Sequence, residues 1–264
     1  LTDPANFTHL APRVRFVLVT PSLPANIGAA ARALRTMGFV QLVVVAPQEP
    51  AFKDDAQARA LATHGIDLLA NALVQPTLAA ALAGATRAYA MTGYARQFGP
   101  PLIDVHEAVQ QARALLQGQL QGDVAFVFGP ERSGLLNDDV ERCQACCAIA
   151  ADAEHGSLNL AQAVQVTAYE CRRALALESA LAASPFVDET PADLAAVEKF
   201  YVHLEQALIA VGYLKPEEPG NLMARLRRLF ARAGLSQPEI DILRGVCAAM
   251  EQPKRDRAGR KRGP

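Results

Sequence analysis

The sequence predicts an α/β fold built on a parallel sheet, followed by a small all-helical C-terminal extension. Three observations carry this. Short β-branched runs alternate with helix-forming stretches through the first two thirds of the chain. A polar segment with two prolines, 184–191 (SPFVDETP), separates two textures, and beyond it no strand pattern appears.

Residues 13–20 (RVRFVLVT) and 41–46 (QLVVVA) read as strands. Between them, 26–38 (NIGAAARALRTMG) is made of helix formers, with Gly38 in the position of a C-cap, so the three form a βαβ unit. Buried strands are expected again at 87–92, 124–129 (VAFVFG) and 145–150. Helices are expected at 77–83 and 105–117, and a long amphipathic helix at 159–181 closes the α/β part. Past the linker, 192–211, 222–233 and 238–251 read as helices, split by the Pro/Gly-rich 215–220 and by 234–237. The resulting boundaries are an N-terminal extension 1–12, an α/β domain 13–183, a linker 184–191, a helical extension 192–252 and a basic tail 253–264. The tail, with six Lys/Arg against one acid, is expected to be disordered.

Composition excludes several classes. Of 264 residues, 51% are hydrophobic and 20% charged, enough to build a sizeable core. The formal charge of -1 argues at face value against a nucleic-acid binder, but charge is segregated. Before residue 190 there are 13 basic and 18 acidic residues; from 190 onward there are 13 basic and 9 acidic, so the C-terminal region is basic. Apolar runs such as 42–46 are far shorter than the ~20 residues of a membrane helix. The stretch 1–12 lacks a basic flank and an apolar core, so no secretory signal is read there, and the sequon at Asn6 is taken as accidental. Five cysteines, three of them clustered at Cys143, Cys146 and Cys147, do not resemble a disulfide framework, which points to the cytoplasm.

Three polar clusters sit at expected strand ends, where open α/β sheets place their sites. The first is Pro24 to Arg32 (PANIGAAAR), in which Asn26 is a candidate N-cap and the small residues 28–31 let a neighbour approach closely. The second is Phe128 to Leu135 (FGPERSGL). It has glycines at 129 and 134 like the start of a Walker A loop, but Leu135 and Leu136 stand where Lys and Ser/Thr are needed, so it is no P-loop. The third, His155 to Ala161 (HGSLNLA), opens the long helix, with Ser157 as a candidate N-cap. Taken singly, the first reads as a capped helix with a surface arginine about as well as a site, the second as a plain turn about as well as a functional loop, and the third as a capped helix. No G-x-G-x-x-G fingerprint and no G-x-S-x-G elbow occurs. Cys143-x-x-Cys146 has no second pair at ligand spacing, and His64, His106 and His203 form no H-E-x-x-H, so no metal is expected and the thiols read as buried and structural.

Together the clusters NIGAAAR at 26–32, FGPERSGL at 128–135 and SLNLAQAV at 157–164 resemble the SPOUT superfamily of RNA methyltransferases, in its TrmH-like 2'-O-methyltransferase class. The likeness continues through 200–206 (FYVHLEQ), 226–233 (LRRLFARA) and 242–245 (ILRG), which are similar to the C-terminal extension of TrmJ-type enzymes. The resemblance implies a trefoil knot in the α/β domain, S-adenosylmethionine bound in that knot, and a homodimer with active sites at the subunit interface. It implies 2'-O-methylation of tRNA at nucleotide 32, cytidine or uridine, in the cytoplasm, with no DNA or membrane partner. Ribosomal RNA or another tRNA nucleotide is the nearest alternative substrate, and a non-catalytic RNA-binding factor is the alternative from another class. By motif position, Asn26, Arg32, Glu131, Ser157 and Asn159 match the catalytic set, and Thr92, Gly93, Tyr94, Gly129, Ile149, Gly156, Ser157 and Leu158 the cofactor pocket. The segment 91–96 (MTGYAR) departs from the family's usual pattern. Arg32 is expected either to activate the hydroxyl or to bind a phosphate and stabilise the alkoxide. Arg225, Arg227, Arg228 and Arg232, four bases in eight residues with no acid, are expected to join Arg32 in holding RNA phosphates.

Overall fold

In the computed structural model, residues 4–94, 96, 99–118, 122–152, 156–176, 191–218 and 220–252 are described. Seven parallel strands form one sheet: β1 (Val14–Val19), β2 (Gln41–Val45), β3 (Leu73–Gln75), β4 (Ala85–Met91), β5 (Leu102–Asp104), β6 (Asp123–Phe128) and β7 (Ala145–Ala148), in the order β3-β2-β1-β6-β4-β7-β5. The five strands read from sequence are all present. The two that periodicity missed, β3 and β5, are three residues each and lie at the two sheet edges, where pairing with a neighbour rather than local pattern makes the strand.

Both faces are covered, which is why the central strands are near-continuous apolar runs. Phe16 and Leu18 of β1 pack on one side with α2 (Pro24–Met37), α3 (Ala56–Ala62), α6 (Val105–Gln117) and α8 (Leu160–Leu175). Val17 and Val19 face the other side with α5 (Leu78–Leu82), α7 (Asn137–Glu141) and Leu194. The region expected to be an N-terminal extension, 1–12, contains α1 (Pro4–Leu10), whose Phe7 and Leu10 are buried in the first of these cores. Arg172 of α8 lies 4.6 Å over the Phe7 ring and donates to the Met37 carbonyl at 2.9 Å, so one guanidinium joins α1, α8 and the end of α2. Gly38 ends α2 with φ 81°, as its C-cap position requires.

The small residues of α2 admit another helix. A Cβ on Gly28 would collide with the backbone carbonyl of Ala58 in α3, and one on Gly65 would fall 2.7 Å from the Ala31 carbonyl oxygen. The close approach anticipated at 28–31 is therefore helix packing.

Beyond Pro191, α9 (Leu194–Ala210), α10 (Leu222–Ala233) and α11 (Gln237–Glu251) match the three expected helices, with α4 (Ile66–Ala70) completing the helices of the chain's described part. Phe200, Tyr201, Ile240 and Cys247 form their own apolar cluster, with Phe230 set edge-on to Phe200 at 5.1 Å. Most of the linker and the whole basic tail lie outside the described residues.

Candidate active site

The site is built where β1, β6, β4 and β7 end. Register places Met91 beside Phe128 on one side and Cys147 on the other, so the loops leaving β6, β4 and β7 start side by side. Thr92 donates its backbone N–H to the Cys147 carbonyl at 3.0 Å, holding two of these exits together. Gly129 leaves β6 at a point where any Cβ would collide with the Leu135 backbone nitrogen, so glycine lets the 129–135 loop close on itself.

That closed loop presents Glu131 to the start of α2. Its Oε2 accepts from the Ser22 hydroxyl at 2.6 Å and the Ser22 N–H at 3.0 Å, and its Oε1 accepts from Asn26 Nδ2 at 2.8 Å and the Leu23 N–H at 3.3 Å. Burial raises the carboxyl pKa, but the hydrogen bonds from Asn26 and Ser22 outweigh it and hold the group down at about 2. Asn26 continues the chain, accepting from Asn159 Nδ2 at 3.0 Å. Three segments distant in sequence, 22–26, 131 and 159, thus meet in one polar network.

Two capping assignments change. Asn26 is not an N-cap: α2 starts two residues earlier at Pro24, whose ring suits a first helical turn, and this frees the Asn26 amide for Glu131. Nor does Ser157 cap α8. Asn159 does, accepting from the Ala161 N–H at 2.9 Å, with Gln162 answering to the Asn159 N–H at 3.2 Å. Ser22 was missed by sequence reading; its only signal was a hydroxyl four residues before Asn26 at a strand end.

The remaining expected residues fall into three groups. Thr92, Gly93 and Gly129 line adjacent strand exits, and a Cβ on Gly93 would meet nothing within 4 Å, so space lies open there. Ile149, following β7, is partly buried against the core, while Gly156, Ser157 and Leu158 are exposed in front of α8 and Tyr94 is 76% exposed. Arg32 is exposed, with no hydrogen bond or ion pair to its side chain among the described residues. It lies six residues from Asn26, so on α2 the two side chains leave about 120° apart, and the structure does not bring Arg32 into the Glu131 network of the same chain.

In the extension, Arg225, Arg228 and Arg232 are exposed at i, i+3 and i+7, one face of α10. Arg227, expected on that face, is turned the opposite way. It donates from both terminal nitrogens to Glu198 at 2.7 Å each and lies 4.4 Å over the Tyr201 ring. Its charge is already matched, and the bidentate bond holds the Glu198 carboxyl below its ordinary range. Glu198 also sits 3.7 Å from Arg142, the residue ending α7, so this cluster ties the extension to the α/β body. A mostly apolar cavity of 380 Å³ opens at the same joint, among Leu82, Cys143, Leu194 and Tyr201, away from the strand-end network.

All five cysteines are buried and unpaired in disulfides. Burial pushes Cys147 up to about 12 and raises the others. Among the described residues, no helix is long and apolar enough to cross a membrane.

Residues 13–169 match the SpoU rRNA Methylase family, and 195–261 match the C-terminal domain of tRNA methyltransferase TrmJ. A tRNA (cytidine/uridine-2'-O-)-methyltransferase TrmJ of Cronobacter sakazakii is 42% identical over 246 residues, covering 92% of this chain and 98% of that protein. Its counterpart in Klebsiella pneumoniae is 43% identical over 242 residues, covering 90% and 96%. The crystal structure of TrmJ from Z. mobilis ZM4 superposes with a TM-score of 0.74 at 32% identity, covering 90% of this chain and 99% of that one. The chain belongs to the SpoU methylase family, in its TrmJ branch.

Proposed function

We propose that this protein transfers a methyl group from S-adenosylmethionine to the 2'-oxygen of a tRNA ribose, at nucleotide 32 of the anticodon loop, on cytidine or uridine. The observation that carries this is the Glu131–Asn26–Asn159 network, which gathers the three motif loops at neighbouring strand ends. TrmJ relatives that match nearly end to end are named as tRNA (cytidine/uridine-2'-O-)-methyltransferases, which supports tRNA as the substrate.

The residues present fit the cofactor. Thr92, Gly93, Gly129 and Ile149 offer backbone groups and an apolar wall at adjacent strand exits, the open space at Gly93 leaves room, and Gly156 to Leu158 would close the other side. Tyr94, exposed just past the β4 exit, would lie at the rim of that pocket. When bound, S-adenosylmethionine supplies an electrophilic methyl, which leaves its sulfur as the 2'-oxygen bonds to it and the hydroxyl proton departs.

The protein's part is to position the hydroxyl and manage that proton. Glu131 stays ionised and fully hydrogen-bonded, so it is a positioning group that sets Asn26, Ser22 and the 129–135 loop. Asn159 fixes the approach to α8, leaving Ser157 exposed toward cofactor and substrate. Arg32, a guanidinium with donors and no acceptor, would bind an RNA phosphate and stabilise the developing alkoxide while phosphate or water takes the proton.

We read the protein as a homodimer with active sites at the subunit interface, where Arg32, which is exposed and outside the Glu131 network of its own chain, would serve the second copy's site. The sheet order supports a knot: β7, later in the chain, lies between β4 and β5, which follow one another in sequence, and the Cys146 N–H donates to the Pro101 carbonyl at 2.8 Å. We read 13–183 as the catalytic unit and 192–252 as an RNA-facing extension, with Arg225, Arg228 and Arg232 toward phosphates and Arg227 as their internal support. We read the protein as cytoplasmic, in keeping with a tRNA substrate.

The test is incubation with S-adenosylmethionine and unmodified tRNA, then nuclease digestion and mass spectrometry. A 2'-O-methyl at nucleotide 32 is the expected product; a methyl on a base, or only on ribosomal RNA, would refute the reading.

A further inference from the structure

We propose that Arg96 is an anion-binding residue of the site, receiving a carboxylate or phosphate oxygen that arrives with a ligand: the amino-acid carboxylate of the cofactor or a phosphate of the RNA. The inference rests on the methyltransferase reading above and on a charge that the fold leaves unmatched.

Arg96 lies in the connection from β4 to β5, whose start at Thr92 is bonded to the β7 exit. Its Nη2 donates to the Leu135 carbonyl at 3.2 Å, so the guanidinium rests against the closed 129–135 loop that presents Glu131. Its charge also reaches the Cys146 thiol of β7, opposing the rise that burial causes there. Gly99 fixes the backbone: its N–H donates to the Arg96 carbonyl at 3.2 Å, and a Cβ on Gly99 would fall 2.7 Å from the Arg96 Cβ. One cation is thus held between two of the loops that would surround the cofactor.

The charge has no counterpart. A guanidinium carries five N–H donors, and the Leu135 carbonyl takes one. Nε is buried without a hydrogen-bond partner, and no acid pairs with Arg96 among the described residues. Other half-buried arginines are matched, Arg15 by Asp123 and Arg227 by Glu198, each at 2.7 Å. Glu131, the acid of the adjoining loop, is already taken by Ser22, Leu23 and Asn26. Arg87 Nε is also unpartnered, but Arg87 lies near the start of β4, at the far end of the sheet from these loops. A desolvated cation is costly unless an anion meets it, and an unsatisfied buried donor in a folded protein calls for a partner. Arg96 is only partly buried, so a ligand can supply one. A carboxylate or phosphate oxygen satisfies both the donors and the charge.

The experiment compares the full-length wild type with Arg96→Gln and Arg96→Lys. Calorimetry uses S-adenosylhomocysteine and 5'-methylthioadenosine, which lacks the amino-acid carboxylate; tRNA Kd is measured across a salt series. If the cofactor is the source, Arg96→Gln should weaken S-adenosylhomocysteine by about tenfold or more and leave methylthioadenosine unchanged, with Arg96→Lys in between. If RNA is the source, S-adenosylhomocysteine should bind as before, while tRNA affinity falls and its salt slope flattens by about one. Glutamine keeps a donor for Leu135 and removes an unpaired charge, so thermal unfolding should match wild type. Unchanged affinity for both S-adenosylhomocysteine and tRNA would overturn the inference. So would equal losses for the two nucleosides, or a tRNA loss at unchanged slope, either of which makes Arg96 a brace for the loop. A wild type that binds both ligands yet leaves tRNA unmethylated would overturn the parent reading instead, while the same titrations still decide on Arg96.

Discussion

Glu198 grips Arg227 through both carboxylate oxygens at 2.7 Å, and this single pair divides the four arginines of α10 into one that holds the helix and three that face outward. Removing a half-buried, charge-assisted partner costs more than removing an exposed charge. Arg227→Ala should therefore lower stability by roughly 1.5–3 kcal/mol in denaturant unfolding and leave the salt slope of tRNA binding nearly unchanged. Each of Arg225→Ala, Arg228→Ala and Arg232→Ala should do the reverse, flattening that slope by about one per residue. Equal slopes for all four variants would contradict the division.

Asn26 is bonded on both sides of its amide, donating to Glu131 and accepting from Asn159. Asn26→Asp replaces the donor with a second carboxylate against Glu131, so it should be worse than Asn26→Ala. Stability losses on the order of 1–3 kcal/mol for the alanine variant follow from the unsatisfied partners. Calorimetry with S-adenosylmethionine should show weakened binding in both, more so for the aspartate.

Glu131 is held at about 2, below its ordinary 4.5, so its charged form is favoured by folding. The stability this contributes is fully present above pH ~4.5 and is lost as pH falls toward ~2. Wild type should therefore lose stability across that interval faster than Glu131→Gln, and the two unfolding curves should converge toward its acid end. A constant gap between them down to pH ~2 would remove Glu131 as the source.

A methyl at Gly129 has no room, because the 134–135 backbone lies against it. Gly129→Ala should force the loop open, displace Glu131 and abolish cofactor binding. Gly93→Ala, where a Cβ meets nothing within 4 Å in the free protein, should fold normally and reveal by its effect on cofactor affinity whether that space is used.

The buried thiols, raised by desolvation, should resist alkylation at pH 8 in the native protein and all five should react after unfolding. Rapid labelling of any one in the folded state would contradict its burial.

The amino-acid order alone was enough for the central strands, the boundaries of α2, α6 and α10 to within about two residues, and the three motif clusters. Those signals are local: apolar runs for doubly covered strands, Gly38 as a stop for α2, glycines where a backbone folds on itself. It also carried the charge asymmetry that the total of -1 conceals. Pairing decided the rest. β3 and β5 exist because neighbours bond to them, and no three-residue window announces that. Whether Asn26 caps its helix or reaches Glu131, 105 residues away, depended on where α2 began and on what the closed 129–135 loop brought to it. Sequence spacing placed four arginines together on α10; only the packing of α9 against it chose which one Glu198 would clamp. Local sequence encodes backbone preference, but a side chain's charge and hydrogen bonds are spent on whatever the tertiary structure places within about 3 Å of it.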